Sequence, residues 1–255
     1  LYQAAMLLEG KLFLRPGDTP WEAVRPWFFV VEGSGEDVRM YGKYSPVAPA
    51  VFAVGRLLGD WNISLGLVAA GTALGVYTLG AAAFDRRVGL LAALALAGSP
   101  LFLLTSSTFF SYAPTTLLNV AFAVAYIRAA RAGSRRWGAA AGTAIGLAFF
   151  ARPYTAVLFA LPFIGHTVVS LGVSWRREGW NPRFRDVLAR ALAIAIPGAG
   201  FVGVALAYNA VVTGDPLVFP YAAFAPNDGI GFGPHEILNY ERDYTIALAA
   251  ETTVT

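Results

Sequence analysis

From residue 62 onward, long apolar runs alternate with short polar breaks rich in arginine. Six of these runs, residues 62–84, 88–105, 115–127, 138–151, 153–174 and 191–212, predict membrane-crossing helices. A hydrocarbon core of about 30 Å sets that expectation, since it takes roughly 20 apolar residues at about 1.5 Å each to span it. The run 138–151 falls short, at about 21 Å, and ends at Arg152 and Pro153. Pro153 disfavours helical geometry at Arg152 and has no amide proton to donate, so the helix is expected to break there and a second one to start. A charge and a broken backbone at membrane depth are tolerated inside protein or beside a water-filled cavity; the alternative is a side chain that snorkels to the headgroups.

The two ends of the chain follow other patterns. Residues 1–61 mix charges of both signs with Trp21, Trp27 and Phe28, which suit interface anchors or ordinary core aromatics. Their apolar piece, 46–58, has 13 residues and is too short to cross, so it reads as interfacial or re-entrant. Leu1, Ala4, Ala5, Leu7 and Leu8 follow helical spacing with no start signal before them, so the chain is expected to continue a longer protein; residues 213–255 show little apolar periodicity and no stop signal. The expected organisation is a first extracytoplasmic loop (1–61) with interfacial helices, a bundle of six spans (62–212), and an extracytoplasmic segment (213–255).

Charge assigns the sides. Eleven arginines and three acidic residues fall in segments 85–87, 128–136 and 176–190, a net of +8, while the rest of the chain carries −5. Cytoplasmic loops carry the excess of positive charge, so those three segments are placed inside. With 56% hydrophobic and 14% charged residues, the composition excludes a soluble globular domain. The isoelectric point near 9.3 does not signal nucleic-acid binding, because the basic residues sit in short loops between apolar runs. Cysteine is absent, which excludes disulfides, thiolate nucleophiles and cysteine-ligated metal. Dense Gly and Ala, as in GAAAGTAIGLA, suit close helix approach.

Four outer-facing pieces are expected to meet: the first loop, the turn 106–114, the break at Arg152 and the segment from Thr213. Among them Lys43 in YGKYSP and Arg152 in ARPY are the cations best placed to hold a phosphate at the membrane surface, although Lys43 also reads as a solvated loop lysine. The closing segment offers Asp215, Asp228, His235, Glu236, Glu241 and Asp243 among aromatic and glycine-rich runs. His235 and Glu236 are adjacent and lack the HExxH spacing, so no metal site is expected. GFG lacks the strand and helix of a nucleotide-binding loop, and His166 reads as a packing residue within an apolar helix. Asn62-Ile63-Ser64 matches a glycosylation acceptor but abuts a span.

Five segments in order carry a resemblance: LYQAAMLLEGKL, MYGKYSPVAPAVFAVGRLLG, SPLFLLTSSTFFSYAPTTLL, GLAFFARPYTAVLFALP and YNAVVTGDPLVFPYAAFAPNDGIGFGPHE. Over residues 1–236 the chain resembles the GT-C superfamily of membrane glycosyltransferases, in particular the protein-mannosyltransferase and aminoarabinose-transferase-like branch, glycosyltransferase family 39. The resemblance implies an all-α polytopic bundle that transfers a sugar from a polyprenyl-phosphate-linked donor to a protein, glycan or lipid acceptor on the extracytoplasmic face of the cell membrane. It also implies a catalytic acidic residue upstream of Leu1; Glu9 and Glu22 do not match that position. The turn Ser111-Tyr112-Ala113-Pro114 lacks the acid with which metal-dependent relatives hold a divalent ion, so no metal and no cofactor is expected, and KYSP departs from the double-proline pattern of relatives. The substrate-binding set inferred from these readings is Lys43, Tyr44, Tyr112, Arg152, Tyr154, Tyr221, Asp228, His235 and Glu236. Two rivals are a transporter, for which no inverted repeat is found, and a non-catalytic membrane scaffold.

Overall fold

A computed structural model describes residues 1–18, 26–228, 231–237 and 240–254; Trp21 and Glu22 lie outside the described residues. The chain forms two compact units, one of Leu1–Glu9 and Ser45–Ala205 and the other of Gly10–Tyr44 and Leu206–Thr255.

The first unit is helical. Helix α1 (Tyr2–Leu8) and helix α2 (Val47–Leu57) precede α3 (Trp61–Ala83), α4 (Arg86–Ala97), α5 (Pro100–Ser106), α6 (Tyr112–Ala132), α7 (Arg135–Ala151) and α8 (Pro153–Glu178). The unit ends within the 32-residue α9 (Pro182–Thr213). Local chemistry sets these boundaries. The Asp60 carboxylate accepts from Asn62 N at 2.8 Å, and Asp85 accepts from Arg87 N and Val88 N at 2.7 and 2.9 Å, each using side-chain oxygen on amides that a helix start leaves orphaned. Gly133 closes α6 at φ +61°, a left-handed position that a residue with a Cβ reaches only with strain.

Helices α3, α6, α8 and α9 are long and apolar enough to cross a membrane. Helices α4 and α5 pass the same test together, although they are bent by 68° where one span is expected over 88–105. Helix α6 is the axis of the unit: 61% of its most apolar stretch is buried, against 17% for α3 and 11% for α8 and α9. Around Phe122 and Tyr126 of α6 pack Ala141, Ala144 and Ile145 of α7, Phe159 and Phe163 of α8, and Ile194 of α9. The outward faces of α3, α8 and α9 keep large apolar side chains such as Leu74, Ile164, Val168 and Ile196 exposed. In water these would be unfavourable, and in a bilayer they are solvated by lipid. The protein is an integral membrane protein.

Helix α2 is not a loose surface segment. Its Ala48, Phe52 and Ala53 join Ala4 of α1 and Leu65 of α3 in a buried cluster, with Phe52 edge-on to Phe109 at 5.2 Å.

The second unit holds two β-hairpins. Strand β1 (Phe29–Glu32) pairs antiparallel with β2 (Arg39–Gly42), and β3 (Gly233–Ile237) with β4 (Tyr240–Tyr244). Between α9 and β3 stands the five-residue α10 (Pro220–Phe224), and α11 (Ile246–Val254) follows β4.

Candidate functional site

The first hairpin positions Lys43. Its register pairs Phe29 with Gly42, and the next step of the ladder is made by Lys43 N donating to Phe28 O at 3.1 Å. The turn needs Gly33: φ is +100°, and a Cβ there would lie 2.6 Å from the Asp37 carbonyl oxygen. Tyr41, fully buried, donates to Glu32 Oε2 at 2.6 Å, which ties the end of one strand to the middle of the other. Burial, and then that carboxylate, push the Tyr41 hydroxyl well above its ordinary value.

Lys43 is 5% exposed. Its Nζ lies 4.2 Å from the centroid of the Phe28 ring, 4.5 Å from Phe224, 4.9 Å from Tyr44 and 5.5 Å from Tyr221. Tyr221 and Phe224 come from α10, where Pro220 starts the helix and spaces the two rings about one turn apart. The Tyr44 and Tyr221 rings are stacked at 6.3 Å, and Phe28 and Phe224 are tilted at the same separation. Among the described residues, Lys43 Nζ has no hydrogen-bond or ion-pair partner. Burial pushes the ammonium below its ordinary value, and the charge of Asp228 opposes that shift.

Asp228 organises the neighbouring polar group. It accepts a short hydrogen bond from the Tyr221 hydroxyl and a second from His235 Nδ1 at 3.0 Å. The other ring nitrogen of His235 lies 3.0 Å from the Gly231 carbonyl oxygen. Both nitrogens therefore face acceptors, an arrangement that only the doubly protonated imidazolium satisfies. The hydrogen bond with Asp228 accordingly raises His235 above its ordinary value. Burial works to raise the Asp228 carboxyl, but the hydrogen bonds from Tyr221 and His235 and the charges of His235 and Lys43 outweigh it and hold it below. Glu236 points elsewhere, accepting from Asn227 Nδ2 at 2.9 Å.

In the helical unit, Arg152 sits where α7 ends and α8 begins, with φ −152° and ψ 88°. The break keeps its backbone bonds: Arg152 N donates to Ala148 O at 2.8 Å, and Ala156 N donates to Arg152 O at 3.1 Å. The guanidinium lies 3.9 Å from the Tyr112 ring centroid and donates to Ser111 Oγ at 3.4 Å. Tyr112 and Tyr154 are each a little over half exposed.

The nine residues inferred from sequence thus fall into two groups. Lys43, Tyr44, Tyr221, Asp228 and His235 converge within one unit, with Glu236 beside them, while Arg152, Tyr112 and Tyr154 belong to the other. Sequence reasoning missed two members of the first group. Phe224 lies in the aromatic run DPLVFPYAAF, and Phe28, which in sequence suits an interface anchor or an ordinary core aromatic, is a wall of the lysine site. Among the described residues no three His, Asp or Glu side chains converge as metal ligands. The first group presents a cation to an anionic ligand and aromatic faces to an apolar or sugar-like one.

A family model described as dolichyl-phosphate-mannose-protein mannosyltransferase matches residues 44–200. No curated protein and no solved structure matches the chain.

Proposed function

This chain belongs to the dolichyl-phosphate-mannose-protein mannosyltransferase family, of GT-C type, and we propose that it transfers a sugar from a polyprenyl-phosphate-linked donor to a protein, glycan or lipid acceptor on the extracytoplasmic face of the cell membrane. Membership makes it a glycosyltransferase; the donor class, acceptor and face are the proposal. The observation that carries it is Lys43, an ammonium ringed by four aromatic side chains, with no anion in hydrogen-bond or ion-pair contact among the described residues.

In such a transfer the bond between the anomeric carbon and the phosphate oxygen breaks, and the phosphate keeps the electron pair. The acceptor oxygen bonds to the carbon and gives up its proton to a base. Negative charge grows on the phosphate in the transition state, and a positioned cation in a poorly solvated site stabilises it more than it stabilises the starting donor. Lys43 is proposed for that task. Tyr44, Phe28 and Phe224 would face the isoprenoid or the sugar, and the Tyr221–Asp228–His235 group would hold sugar hydroxyls. Arg152, above the Tyr112 ring with Tyr154 nearby in sequence, is proposed by itself as a phosphate-binding cation of the helical unit.

The experiment is transfer by membranes carrying the full protein, assayed against a panel of polyprenyl-phosphate sugars. Lys43→Gln is expected to lower kcat/KM about a hundredfold or more, with Lys43→Arg recovering part of it and the melting temperature little changed. Arg152→Ala is expected to act in the same direction. Full transfer by Lys43→Gln would remove the lysine from the mechanism.

A further inference from the structure

The helical unit contains a cavity of about 820 Å³ between α6, α8 and α9, at the arginine-rich end of the bundle. Its lining is polarised. Arg131, Arg135 and Arg183 enter it from helix ends: the last turn of α6 and the first turns of α7 and α9. Val169 and Val173 of α8 and Ile194 of α9 supply an apolar wall.

Two features keep this space open and charged. Arg190 is occupied as a strut, donating from Nη1 to Ala130 O at 3.1 Å and from Nε to Asp186 O at 3.3 Å. Arg131 and Arg135, by contrast, have no hydrogen bond or ion pair among the described residues, and both are exposed. Asp186 is the acidic residue among the lining side chains, so four arginines leave the site with a clear positive excess. At the polar inner surface the Tyr126 hydroxyl meets His166 Nδ1 and Thr167 Oγ1, each at 2.7 Å, which fixes α6 to α8 and gives the cavity a firm boundary. Tyr126 is five residues before Arg131 on α6, so the lining extends about 8 Å along the helix from the cationic end.

A charged end joined to an aliphatic wall running along transmembrane helices is the shape of a lipid seen from its headgroup. We propose that this cleft binds an anionic phospholipid, its phosphodiester against Arg131, Arg135 and Arg183 and an acyl chain along Val169, Val173 and Ile194. Basic recesses between membrane helices recognise such headgroups through charge-assisted hydrogen bonds in a region of low dielectric. The proposal does not depend on the glycosyl-transfer reading.

The test is native mass spectrometry of the full chain titrated with phosphatidylglycerol, with phosphatidylcholine and inorganic phosphate as comparison arms. Tighter retention of phosphatidylglycerol than of phosphatidylcholine is expected, with phosphate alone failing to compete. Removing both free cations in R131Q/R135Q is expected to weaken phosphatidylglycerol binding about thirtyfold, from roughly 1 kcal/mol per basic residue near a lipid surface. The pair R176Q/R177Q, equal in charge but outside the cleft, should leave it within about twofold, and Ser170→Trp, which puts an indole into the cleft, should weaken it. Equal retention of both phospholipids, competition by inorganic phosphate, or equal losses in the two arginine pairs would each overturn the proposal.

Discussion

Lys43 holds a charge that its own surroundings do not neutralise. Burying an unpaired ammonium costs several kcal/mol, and each aromatic face returns about 0.5–2 kcal/mol, so the rings offset the cost without removing it. The residual shows as the lowered Lys43 value, and an arriving phosphate would reverse it. The sign follows. The charged form binds the donor, and the free ammonium loses its proton at lower pH than an exposed lysine. The alkaline limb of kcat/KM is therefore expected below the ordinary lysine value of 10.5, and in Lys43→Arg that limb should move up and out of range. A profile unchanged by Lys43→Arg would show that another group sets the limb. The lysine and its two tyrosines were legible as residue types in a family-like order. The meeting of the first loop with the closing segment was expected too, but the two phenylalanine walls were not, because Phe28 is fifteen residues from Lys43 in sequence and Phe224 much farther, and nothing in a linear pattern marks them as its neighbours. His235 and Glu236, set apart in sequence by their adjacency, do part company: successive side chains of β3 point to opposite faces, and the histidine meets Asp228.

Helices were legible because their signals are local and repeated. The break at Arg152 and Pro153 falls where the expected steric conflict puts it, with α7 ending at Ala151. The hairpins were hidden. Phe29 and Val30 are both buried, so β1 shows no clean alternation, and β4, with every residue exposed, shows none either. The glycine pattern read as close approach has a definite partner. Gly138, Gly142 and Gly146, spaced four apart on α7, face α9, where a Cβ on Gly142 would lie 2.1 Å from the Ile194 carbonyl oxygen and one on Gly146 would lie 2.8 Å from Phe201 Cβ. The obstacle at Gly142 is backbone, which cannot swing aside as a side chain can. Gly142→Leu is therefore expected to destabilise the detergent-solubilised protein by about 1–3 kcal/mol or more, read as a drop in Tm. Gly165→Leu on α8, where nothing lies within 4 Å, is the matched control and should leave Tm nearly unchanged.

At the scale of the whole chain, the family match covers 44–200 and so rests mainly on the helical unit, while the lysine site draws on residues 28–44 and 221–235 outside or at the edge of it. The activity class and the candidate site thus have separate support, and the proposed topology of the helical unit has a test of its own. Helix α6, 21 residues and about 32 Å long, separates the turn after α5 from the turn at Gly133 by enough to set them on opposite faces of a bilayer, as the proposed topology requires. Helices α7 and α8 then run out and back between arginine-rich ends, with Arg152 at the far point. From the charge excess in 85–87, 128–136 and 176–190, those ends are expected on the cytoplasmic face. Residues 1–255 hold no cysteine, so a single substitution adds one thiol at a known place in this stretch. Ser107→Cys is expected to react with a membrane-impermeant maleimide in intact cells, and Arg136→Cys only after permeabilisation. The reverse pattern would put Arg152, the turn at Ser111 and the proposed phosphate chemistry on the cytoplasmic face, where an extracytoplasmic acceptor could not reach them.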